Sequence, residues 1–403
     1  MCSVSVGLWV ATGSRYEPER LNGVCHFIEH MLFKGTRTRS AREISEAVEG
    51  VGGYLNAYTS EETTCFHAKA SHERHGVLLE VLFDMLKHPR FDPADIDKER
   101  EVIKEEVAMY LDEPQHQVQE VLNATLWPDQ PLGRPITGTP ASLNGIKRED
   151  LLGFLRGHYV SGAALLVASG KLRHRAIVRE VSRLAAGLRR GGRTEFVAAN
   201  GRQREPRIRL VSRKIEQTQL ALAFRTCSRH DPRRFALRLL NTLLGENMSS
   251  RLFQVIREER GLAYSIYSTP SFFHDTGDLV ISAGLETGNL EKTLGLVFAE
   301  LRRLRDSPPS NAELRRARDY VLGQVDLSLE GTENQMNWVG EQLLGYGSVH
   351  APSLYKRKLG TVKPTDIRAV AREFLRPERA NLALVSPLKR DDSVRRAVRR
   401  GLG

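Results

Sequence analysis

Two histidines and a glutamate stand in one short apolar run, His26-Phe-Ile-Glu-His30. On a helix, at about 100° per residue, His26 and His30 lie one turn apart on one face, with Glu29 beside them. Two imidazoles so placed can hold one zinc ion, and a neighbouring carboxylate can handle the proton of a water activated there. A catalytic zinc usually takes a third protein ligand. The stretch Lys98-Glu-Arg-Glu-Val-Ile-Lys-Glu-Glu106 is the expected donor, offering Glu99, Glu101, Glu105 and Glu106. Glu99 and Glu106 are seven residues apart, about two turns, and share a face, so one can bind the metal while the other orients a ligand histidine. The bland reading of the same residues is an amphipathic helix with two surface histidines, followed by a solvated acidic helix.

The elements that must position these residues occur twice. The alternating strand 3–10, a polar turn and the helical run 24–33 return as a strand over 219–224, a turn of the same chemistry and a helical run over 236–244. Each half continues with a helix (41–51; 250–260), two strands rich in Tyr, Thr and Val (53–59 and 63–70; 263–268 and 277–285), a helix (75–87; 290–304), a proline-containing break and a long charged helix (94–111; 311–329). The order predicts an α+β fold: two homologous α/β domains, mostly antiparallel sheets flanked by helices, in a clam-like arrangement. The expected boundaries are 1–186 for the metal-binding domain, 187–206 for a linker rich in Gly and Arg, and 207–403 for its counterpart. The second half's Ala236-Leu-Arg-Leu-Leu-Asn-Thr-Leu-Leu244 has neither histidine nor acid. Histidines serving only the fold would have little reason to be missing from the duplicate, so the first half reads as catalytic and the second as a lid or substrate-holding partner.

Composition narrows the class. The chain has 403 residues, 40% apolar and 27% charged, which excludes disorder, collagen and coiled coil as whole-chain descriptions. Its net charge of +11 is diluted over that length. The densest basic patches, 189–193 and 389–400, read as linker and solvated tail, so no nucleic-acid partner is expected. Cys2, Cys25, Cys65 and Cys227 form no CxxC pair, which argues against a disulfide scaffold and a thiolate metal site. No apolar stretch approaches the 18 or so residues of a membrane span and no basic leader precedes the apolar start, so the expectation is a cytoplasmic protein without a membrane partner, or one whose targeting segment is absent from this sequence.

NGVCHFIEHMLFKGT (22–36) resembles the signature of the pitrilysin/insulinase zinc metallopeptidases, the inverzincins, whose H-x-x-E-H inverts the usual zincin order. The likeness continues through GGYLNAYTSEETTCFHA (52–68), EREVIKEE (99–106), MSSRLFQVIREERGLAYSIYS (248–268) and LRRARDYVLGQVDLSLEGT (314–332), nearly the whole chain in order. In length and architecture it is similar to the short bacterial branch related to the β-subunit of mitochondrial processing peptidase. The resemblance implies one zinc ion per chain, His26 and His30 as ligands, Glu29 as general base, and Glu106 as third ligand with Glu105 as its competitor. It further implies that Glu99 supports a ligand histidine, and that Arg257 and Tyr264 reach substrate from the second domain. Asn56 and Ala57 then lie on an edge strand to which an extended peptide adds.

By the same resemblance the partner is an extended peptide, and the chain works as a homodimer or as a heterodimer with a related chain. A rival expectation is a non-catalytic or partner-dependent subunit, against which the intact His26, Glu29, His30 and Glu106 argue. The sequence departs from the family in three places. Cys25 replaces a small apolar residue before His26, Gly245-Glu246-Asn247 replaces a more glycine-rich turn, and the chain starts after the family's opening strand, which predicts an unpaired sheet edge.

Overall fold

The computed structural model describes residues 2–201 and 203–402, which form two compact units. The first unit's sheet comprises β1 (Ser3–Val10), β2 (Tyr54–Thr59), β3 (Thr64–Ser71) and β4 (Ala164–Gly170), in the order β2-β3-β1-β4 and antiparallel throughout. In the second unit β5 (Arg207–Ser212), β6 (Gln217–Thr226), β7 (Ala263–Phe272), β8 (Gly277–Glu286) and β9 (Asn381–Ser386) follow the order β5-β9-β6-β8-β7. Only the β5–β9 pair there is parallel. The α+β expectation with mostly antiparallel sheets therefore holds. In the first unit β2 and β4 are the edge strands; in the second, β9 is covered by β5.

Helices α1 (Val24–Leu32), α2 (Ala41–Glu49) and α3 (His75–Lys87) pack on one face of the first sheet, and α4 (Pro93–Asp112) follows them. At nine residues α1 is too short to be stable alone. Tertiary burial holds it: Val24, Phe27, Ile28, Met31 and Leu32, spaced i, i+3, i+4, i+7 and i+8, are at most 1% exposed. Each such side chain contributes roughly 1.5–3 kcal/mol on leaving water. The stripe turns His26, Glu29 and His30 to the other side of the helix.

The units do not follow the contiguous division expected from sequence. The first comprises the chain up to Met109, Arg134–Val197 and Asp326–Val349; the second takes Tyr110–Gly133, Ala198–Val325 and the chain from His350. Each half of the sequence thus lends a helix to the other's sheet. Helix α5 (Pro114–Leu126) lays Val118, Leu122 and Leu126 on the small side chains Ala221, Ala223 and Ala383 of β6 and β9. The helix Thr332–Tyr346 covers the first sheet, where Trp9 packs with Cys65, Val167 and Met336. Small residues let each helix approach its sheet closely, and that complementarity is invisible to local periodicity. Gly340 belongs to this contact, since a Cβ there would lie 2.6 Å from Trp9 Cζ2. Gly340→Val is expected to destabilise the fold by about 1–3 kcal/mol through overpacking, measured as a lower urea midpoint.

Three further expectations need correction. Of the stretch expected as a linker, residues 188–201 are irregular but docked in part: Ser161 N and Gly162 N donate to the Arg189 and Gly191 carbonyls, and Phe196 packs under the Arg15 guanidinium. The basic tail is the helix Asp392–Leu402, with Val394, Ala397 and Val398 buried against the helix Leu290–Asp306. The apolar stripe every three to four residues outweighs the arginines between them. The second half's helices over 236–244 and 250–260 wind partly as π-turns, at Thr242–Glu246 and Phe253–Glu258. Among the described residues no helix is long and apolar enough to cross a membrane.

Candidate metal centre

His26 Nε2 lies 3.2 Å from His30 Nε2, and the two atoms are 3.7 and 3.6 Å from Glu106 Oε2. Ligand atoms about 2.0–2.1 Å from a tetrahedral zinc stand about 3.4 Å apart, so this triangle fits the ion. Among the described residues no other group of three or more His, Cys, Asp or Glu side chains converges in this way. Burial depresses the His26 imidazole to about 3, and the neighbouring His30 opposes a charge there as well. His26 is therefore the neutral base that a metal requires. Two imidazoles and one carboxylate, with Glu29 beside them, are a donor set for catalytic zinc, which keeps a position open.

The geometry brings Glu106 rather than Glu105 to the histidines. One residue turns the side chain by about 100° on the helix, and Glu105 is exposed while Glu106 is half-buried. Glu99, one face-repeat earlier on α4, is buried. Its Oε1 accepts from His30 Nδ1 at 2.9 Å, and its Oε2 pairs with Lys34 Nζ at 2.7 Å. Burial raises the Glu99 carboxyl, but the bonds to His30 and Lys34 outweigh it and hold the group below its ordinary range. An ionised Glu99 keeps the proton on His30 Nδ1, leaving the Nε2 lone pair for the metal. Glu99→Gln is expected to weaken zinc binding about 10–100-fold, read by competition with a chromogenic chelator.

Glu29 occupies the same turn as the ligands. Burial raises its carboxyl above the ordinary range, and the hydroxyl of Thr59, donating to Oε2 at 2.5 Å, counters part of that rise.

Glu17, Lys34 and Thr59 were not anticipated from the sequence. Glu17 caps α1, whose N-terminal Gly23 has no side chain to do so. One carboxylate oxygen accepts from Gly23 N at 2.8 Å and Asn22 Nδ2 at 3.0 Å, the other from Cys25 N at 2.8 Å. Gly23 itself is required, because at φ +94° a Cβ would meet Gly138 Cα and the Thr137 carbonyl at 2.8 Å. A glycine at a helix start with an acid a few residues upstream was the available signal. Burial, with the adjacent Glu17, pushes the Cys25 thiol well up, which makes it an inert packing group.

Asn56 and Ala57 lie on the edge strand β2 and point to opposite faces: Asn56 is exposed, while Ala57 packs against the first unit's core. The Asn56 side-chain oxygen accepts from Ala57 N at 2.8 Å. In the second unit Arg257 stacks on Phe253, with its guanidinium 5.9 Å from the Tyr264 ring, and Tyr264 is 77% exposed on the edge strand β7.

The first unit thus brings the two histidines of H-x-x-E-H and the Glu106 carboxylate together as a group that could hold a metal ion. Comparison with known proteins gives the family directly. Residues 2–140 match the profile of Insulinase (Peptidase family M16), and residues 145–321 that of the peptidase M16 inactive domain. The chain is 37% identical to the uncharacterized zinc protease SCO5738 of Streptomyces coelicolor, covering 96% of this chain and 85% of that protein. It is 34% identical to the uncharacterized zinc protease YmxG of Bacillus subtilis, covering 96% and 93%. A protease from Helicobacter pylori shares the fold with a TM-score of 0.90 at 20% identity, over 96% of this chain and 94% of that one. The chain belongs to the pitrilysin/insulinase (M16) family of zinc metallopeptidases.

Proposed function

We propose that the protein is a zinc-dependent endopeptidase of the processing-peptidase type that hydrolyses unfolded or extended peptides. The observation that carries this reading is the triangle of His26, His30 and Glu106 ligand atoms at 3.2–3.7 Å with Glu29 on the same helix. Relatives named as zinc proteases support it. His26, His30 and Glu106 would hold the ion, which when bound supplies Lewis acidity toward water and a peptide carbonyl.

This chain's residues do the rest. Glu29 accepts the proton of the attacking water and returns it to the leaving amine. Glu99 fixes the His30 tautomer. The open edge of β2 near Asn56 and Ala57 receives an extended main chain, which favours unfolded peptides over folded proteins. Arg257 and Tyr264 are proposed as substrate contacts and donors to the developing oxyanion. Assembly with a second copy or a related chain is part of the proposal.

The test is hydrolysis of a quenched, short, unstructured peptide by the purified chain. Cleavage, its loss with a zinc chelator and its return on adding zinc are expected. A chain that binds zinc and cuts only after a related chain is added is a partner-dependent subunit. A chain that binds no zinc is not the enzyme described.

A further inference from the structure

Glu29 sits at the end of a flexible side chain on a nine-residue helix, yet a general base must meet its proton within hydrogen-bond reach. What aims it lies on β2. Thr59 closes that strand, opposite Thr64 of β3, and its hydroxyl donates to Glu29 Oε2 at 2.5 Å.

The backbone carrying the hydroxyl is fixed by the corner that follows. Ser60 N donates to the Thr63 carbonyl at 2.8 Å, and Ser60 Oγ lies 3.0 Å from both the carbonyl oxygen and the hydroxyl of Thr63. From outside the sheet, Ser14 N and Arg15 N donate to the Ser60 and Glu61 carbonyls at 3.1 and 2.9 Å. The buried Arg15 guanidinium pairs with Glu62 at 2.7 Å. Gly13 permits this approach, since a Cβ there would lie 2.1 Å from the Ser60 carbonyl oxygen.

The same strand carries a second clue. The Ala57 N–H meets the Asn56 side-chain oxygen, as a peptide group facing the open edge of β2 can. With the strand's period of two, the Thr59 peptide group faces the same way, and its side chain shares the helix-facing side with Leu55 and Ala57. Thr59 thus presents its main chain to the edge and its hydroxyl to Glu29.

We propose that Thr59 is a positioning residue that sets the Glu29 carboxylate relative to a peptide main chain laid along the edge of β2. This rests on the endopeptidase reading above and adds to it a physical link between the strand that seats the peptide and the base.

The experiment compares wild type, Thr59→Val, Thr59→Ser and Glu29→Gln, and Thr59→Val in the Glu29→Gln background, with zinc content and thermal midpoint measured on each. Cleavage by wild type and its loss in Glu29→Gln establish the endopeptidase reading separately. Thr59→Val, nearly isosteric but without the hydroxyl, is then expected to lower kcat about 10–100-fold with KM within about threefold and zinc unchanged. Thr59→Ser, which keeps the donor, restores most of kcat. In the Glu29→Gln background the valine adds no further loss, the non-additivity expected of residues acting through one group.

A readout independent of turnover is the side-chain carboxyl resonance of Glu29, assigned by its absence in Glu29→Gln, which moves in Thr59→Val and returns in Thr59→Ser. An unchanged kcat in Thr59→Val, a loss confined to KM, an equal loss in both backgrounds, or an unmoved Glu29 resonance overturns the proposal.

Discussion

Glu29→Gln is expected to lower peptide hydrolysis by about 10²–10⁴-fold while zinc content stays at the wild-type level. The amide keeps the shape of the side chain and its contact with Thr59, but it cannot take the proton of the attacking water. Glu29 is not among the converging ligand atoms, so the metal remains. Measuring kcat/KM on a quenched peptide together with zinc content by atomic absorption separates the two roles. A variant that loses activity and zinc together would assign Glu29 to metal binding rather than to proton transfer. The wild-type pH profile has a predictable sign. A general base works ionised, and burial raises Glu29 above the ordinary carboxylate value of 4.5. Activity should therefore fall as the pH falls through the range in which the Glu29 carboxylate takes up a proton.

The second large effect separates two adjacent residues. Glu106→Gln is expected to strip the site of one of its three protein ligands and reduce zinc affinity by several orders of magnitude, because an amide is a poor substitute for an anionic donor. Glu105→Gln, one residue away and exposed, should bind zinc as wild type does. Titration with a chelator of known affinity reads both. Equal losses, or a larger loss in Glu105→Gln, would show that α4 presents a different face to the histidines. The effect should exceed that of Glu99→Gln, because Glu99 acts through His30 Nδ1 and leaves all three donor atoms in place.

Part of this arrangement is set by properties local to each element. The runs 3–10 and 75–87 delimit β1 and α3 as they stand in the structure, although β1 is buried along both faces rather than at alternate residues. The i, i+4 spacing of His26 and His30 puts both imidazoles on one side of α1 whatever the rest of the molecule does. Helix geometry also gives Glu99 and Glu106 a common face.

Other features depend on residues far apart in the chain. Which acid of Glu105 and Glu106 faces the histidines depends on how α4 is rotated, and that is fixed by Ile96, Ile103 and Val107 packing into the first unit's core. The exchange of α5 and the helix Thr332–Tyr346 between halves follows from small side chains on β6 and β9 and from Gly340 beneath Trp9. Their periodicity says only that the helices exist, not which sheet they cover. Glu17, Lys34 and Thr59 are ordinary polar residues in sequence. They acquire roles because folding brings a carboxylate to the start of α1, an ammonium to Glu99 and a hydroxyl to Glu29. The sequence by itself determined the donor types and their spacing along each helix. The tertiary structure decided which donors converge, because convergence is set by packing between elements distant in the chain.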